Sequence, residues 1–214
     1  RQLKEKFFKD KFINLTVLLV PQHGLASARI NEVDVEKKAD FLVMRTTGAG
    51  AAERILIGSN AARVTKNAPC SVFLIPRGAK FSGLRKMVYA TDLSDDDLDR
   101  VKVVIPLAKV FNSELLFLYV DKTTLSGDDV DVKKIRALVR KKVKYPKQSG
   151  FVCTDISVKE GIDFFLKKYN ADALVMFTRH RNLFKDLYQP SLSKKVSFNT
   201  KVPLLVVHEH DSLF

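Results

Sequence analysis

The residues with the best claim to chemistry follow the apolar run Phe41–Met44. They are Arg45-Thr46-Thr47-Gly48, then nine residues, then Gly58-Ser59-Asn60. Glycine at a strand exit lets the backbone approach a ligand closely, and free amides at a helix start, aided by a hydroxyl, bind anions. The spacing places Met44 and Gly48 at the strand exit and Gly58, Ser59 and Asn60 at a second bend or helix start. A phosphate group is the ligand this pattern suits. Gly48, Gly50 and Gly58 would also serve plain turns, since glycine spacings of this kind recur widely.

Other clusters carry less. Arg179-His180-Arg181 could draw an anion, or could be an exposed basic loop. His208-Glu209-His210-Asp211 has the composition of a metal site, but histidines at i and i+2 beside a chain end are weak ligands for one. Cys70 and Cys153 lie far apart, with no CxxC spacing and no histidine cluster. That argues against zinc and against a disulfide framework, and it fits a reducing cytoplasm. Cys70 reads as a small core residue. The chain contains no nucleophile elbow, Walker lysine, zinc-hydrolase helix or paired-carboxylate motif. We therefore expect no catalytic residue, no metal and no enzyme activity.

The elements that must position these residues come in two series. In the second half, Lys86–Thr91 reads as a strand, with Asp92-Leu93-Ser94 as its turn. Ser94 and Asp97 then form an [ST]-x-x-[DE] cap for a helix over about Asp95–Val110. Pro106 should kink that helix or mark its boundary. Strands follow at Glu114–Val120, Phe151–Val158, Ala173–Phe177 and Pro203–His208. Helices fall at Val130–Lys144, Gly161–Tyr169 and Ser191–Phe198. Val- and Leu-rich strands alternating with helices mean a parallel sheet covered on both faces, with ligands outside the carboxyl ends of the strands. The first half reads as helix Leu3–Lys11, strand Leu15–Val20, helix Ala26–Lys38, strand Phe41–Met44, helix from about Ala51 to Asn67 and strand Val72–Pro76. Gly78 to Gly83 form a linker.

The two series are one unit repeated. At a constant offset of 132 residues, Ala39-Asp40-Phe41-Leu42-Val43-Met44 lies over Ala171-Asp172-Ala173-Leu174-Val175-Met176. Thr46 then meets Thr178, Ser59 meets Ser191, Val64 meets Val196 and Asn67 meets Asn199. Two copies do not make a solenoid, so the expected product is a pair of modules, residues 1–83 and 84–214, related by a pseudo-twofold axis. Their last strands, Ser71–Ile75 and Pro203–Val207, are short apolar edges that pairing within the chain would cover. A homodimer is also compatible with these edges.

The segment ADFLVMRTTGAGAAERILIGSNAARVTKNAPCSVFLIP resembles the back half of a universal stress protein module, and KMVYATDLS with ELLFLYV resembles the front half of the next. The resemblance implies two Rossmann-like, doubly wound α/β modules with five-stranded parallel sheets of order 3-2-1-4-5. It further implies that adenine-nucleotide binders of the family carry G-x-x-G, nine residues, then G-[ST], with an Asp at the end of strand one. In the first copy Arg45 replaces the first glycine, while Gly48, Gly58 and Ser59 match. In the second the aligned residues are Phe177, His180, Pro190 and Ser191, so every glycine is gone and only Thr91 and Asp92 remain as a vestige. Any ATP or AMP is thus expected in the first copy alone. The implied role is a non-catalytic regulatory or binding protein of the stress response. The alternative is a structural dimerisation module that binds no nucleotide.

The formal charge of +13 would suit a polyanion partner, yet the excess is shared almost evenly between residues 1–84 and 85–214. The one dense block, Arg136 to Lys147, lies on an amphipathic helix as a solvated face, so nucleic acid is not an expected partner. No apolar run approaches the roughly 20 residues of a membrane span. In a 3-2-1-4-5 sheet, strands one and two separate Leu15–Val20 from Phe41–Met44, and the first copy has no counterpart of either. We expect further N-terminal residues, or another chain, to supply them.

Overall fold

In the computed structural model the described residues are 16, 18–46, 59–121, 131–155, 157–177 and 202–208. They form seven strands: β1 (Phe41–Arg45), β2 (Ser71–Ile75), β3 (Lys86–Ala90), β4 (Glu114–Asp121), β5 (Gln148–Thr154), β6 (Ala173–Phe177) and β7 (Leu204–Val207). Five helices accompany them: α1 (Ala26–Lys37), α2 (Ser59–Asn67), α3 (Asp95–Val110), α4 (Val132–Lys142) and α5 (Val158–Lys168).

The strands make one sheet in the order β1-β2-β7-β6-β3-β4-β5. Read from β5 to β7, the second half is a parallel five-stranded sheet of order 3-2-1-4-5. The first half adds the parallel pair β1–β2. The junction is antiparallel, with Val72 opposite Val206, Phe73 opposite Leu205 and Leu74 opposite Leu204.

Successive strand residues point to opposite faces, and here both faces are buried. Val72, Leu74, Val88, Leu174, Met176, Leu204 and Val206 enter one core, closed by Ala61 of α2 and by Ile162, Phe165 and Leu166 of α5. Met87, Tyr89, Ala173, Val175, Leu205 and Val207 enter the other, closed by Leu98, Val101 and Val104 of α3 and by Ile135 and Val139 of α4. Both cores cross the junction, so the halves share their interiors.

The repeat extends into detail that the sequence alignment did not reach. α1 overlies α5, and both stop on a left-handed residue at equivalent positions, Lys38 at φ 50° and Asn170 at φ 49°. The copies diverge inside that frame. Buried Asp34 of α1 accepts from the Cys70 thiol at 3.3 and 3.4 Å, where the second copy has Leu166 and Val202. Gly161 of α5 lies so close to β4 that an added Cβ would stand 2.8 Å from Val120 Cγ1. Its equivalent is Arg29, which has no counterpart of β4 beneath it among the described residues.

Four expectations need correction. Residues 18–20 are not in a strand, and Leu18 and Leu19 are exposed. Their equivalents Gly150, Phe151 and Val152 belong to β5, held by Phe117, Leu118 and Tyr119 of β4. A strand without a ladder partner leaves its backbone groups unpaired, and no counterpart of β4 is described for the first copy. β5 runs over Gln148–Thr154 rather than Phe151–Val158, because Asp155 turns the chain: its amide bonds Asp121 O and its carboxylate accepts from Ser157 N. Pro106 does not mark the boundary of α3, which continues to Val110. The Ser94–Asp97 cap is half formed, as described below. The expected helices Leu3–Lys11 and Ser191–Phe198, and residues 51–58 of the third, lie outside the described residues. No helix among the described residues is long and apolar enough to cross a membrane.

Two variants test this packing. Leu205→Lys, at the centre of the junction, should cost at least about 4 kcal/mol, from a lost buried side chain plus a desolvated charge, as read by urea unfolding. Gly161→Ala should gain about 1 kcal/mol of helix propensity but lose more to the Val120 clash, lowering the melting temperature.

Candidate functional site

In a doubly wound sheet the ligand side is the carboxyl end of the strands. In the first copy β1 ends on exposed Arg45, followed by buried Thr46, whose amide bonds Ile75 O at 3.0 Å. Met44 is half-buried and packs on the α2/α5 core. Because β1 and β2 run parallel and α2 joins them, α2 begins on this same side. Ser59 and Asn60 open α2 and are exposed, and the first turn carries no acidic residue. Met44 is the penultimate residue of β1, and Ser59 and Asn60 are the first described residues of α2. Gly48 and Gly58 lie outside the described residues.

The described residues of the second copy differ on this side. Phe177, at the position of Arg45, is buried, and the Arg100 guanidinium stands over its ring, 5.6 Å from the centroid. At the exit of β3, Thr91 is buried, its amide bonds Leu118 O, and its hydroxyl accepts from Leu93 N at 2.9 Å. Leu93 sits at φ 63°, a left-handed conformation that this hydrogen bond helps to hold. Asp92 is exposed and accepts from Ser94 N at 2.9 Å. Thr91 and Asp92 thus shape the turn between β3 and α3. Pro190, Ser191 and Arg179-His180-Arg181 lie outside the described residues.

The turn explains the half-formed cap. Ser94 Oγ accepts from Asp97 N at 3.3 Å, but the return bond to Ser94 N comes from Asp92. Asp97 is released inward, where Tyr89 directs its hydroxyl between Asp97 O at 2.9 Å and Asp97 Oδ1 at 3.0 Å. Burial first, and then the Asp97 carboxylate, push the Tyr89 phenol well above its ordinary range. The sequence held no signal for this pair beyond an amphipathic strand beside a capped helix. Elsewhere, burial raises the Cys153 thiol, which keeps it protonated and a poor nucleophile. His208 is buried, and no group of three His, Cys, Asp or Glu among the described residues could hold a metal ion.

Fold and site together define a doubly wound α/β class, in which a five-stranded parallel unit is joined through its last strand to the parallel pair β1–β2. The family model described as "Universal stress protein family" matches residues 13–76 and 83–208. The chain belongs to the universal stress protein family. A curated universal stress protein of Methanocaldococcus jannaschii is 47% identical over 57 residues, which is 27% of this chain and 34% of that protein. The crystal structure of a universal stress protein from Archaeoglobus fulgidus DSM 4304 matches 85% of this chain and 64% of its own, with a TM-score of 0.60 and 18% identity. A Pseudomonas aeruginosa PAO1 protein of unknown function matches 88% of this chain and 69% of its own, with a TM-score of 0.55 and 13% identity. At these identities the two structures establish the fold. The match spans about a third of the curated relative and less than two thirds of the Archaeoglobus structure.

The Tyr89–Asp97 pair gives a pH prediction. The folded phenol titrates above the unfolded one, so its contribution to stability is whole below about pH 10 and is lost as pH rises from there toward the folded value. Tyr89→Phe should flatten this alkaline loss and lower stability at pH 7 by about 1–3 kcal/mol, because Asp97 loses a buried donor. Denaturant midpoints across pH 7–11 check both effects.

Proposed function

We propose that the chain is a non-catalytic binding and regulatory module of the cytoplasmic stress response, in which the first repeat alone holds an adenine nucleotide, ATP or AMP. The observation that carries this reading is the difference between the carboxyl ends of β1 and β6. The first offers exposed Arg45 and, at the start of α2, Ser59 and Asn60 with no acidic residue in the turn. In the second, Phe177 is buried under Arg100, and Asp92 is engaged in a turn. Phosphate oxygens favour helix amides, a hydroxyl and a guanidinium, and disfavour a buried ring beside a carboxylate. Gly48 and Gly58 would let the intervening chain approach the phosphates, and Met44 would line the base. The non-catalytic part rests on the sequence, which carries no nucleophile elbow, Walker lysine or paired-carboxylate motif.

Calorimetric titration with ATP, ADP and AMP, with and without magnesium, should give one site per chain and no release of phosphate. Gly58→Val should abolish the binding heat, and Pro190→Ala should leave it unchanged. Binding that survives Gly58→Val moves the site elsewhere, and no heat with any nucleotide selects the structural interaction module instead.

A further inference from the structure

At the amino ends of β3, β4 and β5 the second repeat forms an open cleft of about 530 Å³. That volume suits a small molecule. Half-buried Phe111, the residue after α3, supplies an apolar wall. Lys147 leads into β5 and donates to Asn112 Oδ1 at 2.7 Å, which holds the two sides of the cleft together. The lining comes entirely from the repeat whose five strands are all described.

The cleft holds charges of both signs that do not satisfy one another. Arg85 and Lys147 are exposed, and Glu114 is half-buried. Among the described residues, the side chains of Arg85, Glu114, Gln148 and Ser149 have no hydrogen-bond or ionic partner. Lys86 stands opposite Glu114 in the ladder, but its ammonium is drawn off to Tyr169 O at 3.3 Å. Alternation along the strands sorts the uncommitted groups. Glu114 and Ser149 fall on the face of Leu116 and Phe151, and Gln148 falls on the other, with Leu115 and Val152. A carboxylate and a hydroxyl therefore share one side of the sheet end.

We propose that this cleft binds a small zwitterion with an ammonium and a carboxylate on an apolar body, the chemistry of a free amino acid or a short peptide. The ligand carboxylate takes the Arg85 guanidinium and the Lys147 ammonium, aided by the Gln148 amide. The ligand ammonium takes the Glu114 carboxylate and the Ser149 hydroxyl, and the apolar body covers Phe111. Charge selects this class over its neighbours. A phosphate or other simple anion would meet the half-buried Glu114 carboxylate, and a simple cation would meet Arg85 and Lys147. A ligand of both signs satisfies both sets, and its ammonium offsets the desolvation of a carboxylate that has no partner within the chain. The proposal stands on the second repeat alone and is independent of the nucleotide reading.

The test is calorimetric titration of the 214-residue protein with leucine, phenylalanine and leucyl-phenylalanine, each beside its N-acetylated and its carboxamide form. Saturable binding is expected, at least about tenfold tighter than either blocked form, as suits the loss of a charged hydrogen bond. Binding of a single amino acid points to that source, and binding of the dipeptide alone points to a peptide. NMR shifts at the Asn112 and Ser149 amides should locate the ligand. Glu114→Gln should remove the preference for a free ammonium and keep that for a free carboxylate, and Arg85→Gln should do the reverse. This crossed pattern is read within each variant, so a general loss of stability does not imitate it. The proposal is overturned by any of four results: no saturable binding up to about 10 mM, equal binding of the blocked forms, a variant that loses both preferences or neither, or inorganic phosphate binding as tightly at the same amides.

Discussion

Three residue pairs across the β2–β7 junction, centred on Phe73 and Leu205, hold the whole arrangement together. An antiparallel ladder between the last strands of two parallel units is the contact that lets both pleated faces continue from one repeat into the other. Val72 and Leu74 join Leu204 and Val206 in one core, while Phe73 packs beside Leu205 in the second. The hydrophobic gain therefore scales with a sheet of seven strands rather than with a pair. For β1–β2, which alone would be a marginal two-stranded unit, this junction provides the burial.

The same frame then carries two different chemistries. Equivalent left-handed stops at Lys38 and Asn170 keep the helices in step, while the residues between them have diverged. Where the second repeat is apolar, with Leu166 and Val202, the first buries a carboxylate against a thiol. Where the second packs Gly161 against Val120, the first has Arg29. At the carboxyl ends, an exposed arginine in one copy faces a buried, cation-capped phenylalanine in the other. Duplication fixes the scaffold and leaves each copy's loops and strand ends free to differ.

Among the described residues β1 and β5 are the outermost strands of the sheet. β5 is an outer strand in the repeat's own plan. β1 is an inner strand by composition, since its residues match those of fully buried β6, and no counterpart of β3 is described beside it.

Much of this was legible in the sequence, because it is encoded locally. The offset of 132 residues, the apolar runs of β3, β4 and β6 and the span of α3 are all carried by residue type and periodicity, as is the loss of the second copy's glycines. The 3-2-1-4-5 order came with the family resemblance. What the tertiary structure decided depends on neighbours distant in sequence. Residues 18–20 have strand composition but no ladder partner. Asp97 has cap spacing, but Asp92 takes the Ser94 amide and frees it for Tyr89. Phe177 and Arg45 occupy one alignment column, yet one is buried and the other exposed, because only β6 has β3 beside it and α3 above it. A sequence specifies which surfaces want burial; only the assembled sheet determines which of them obtain it.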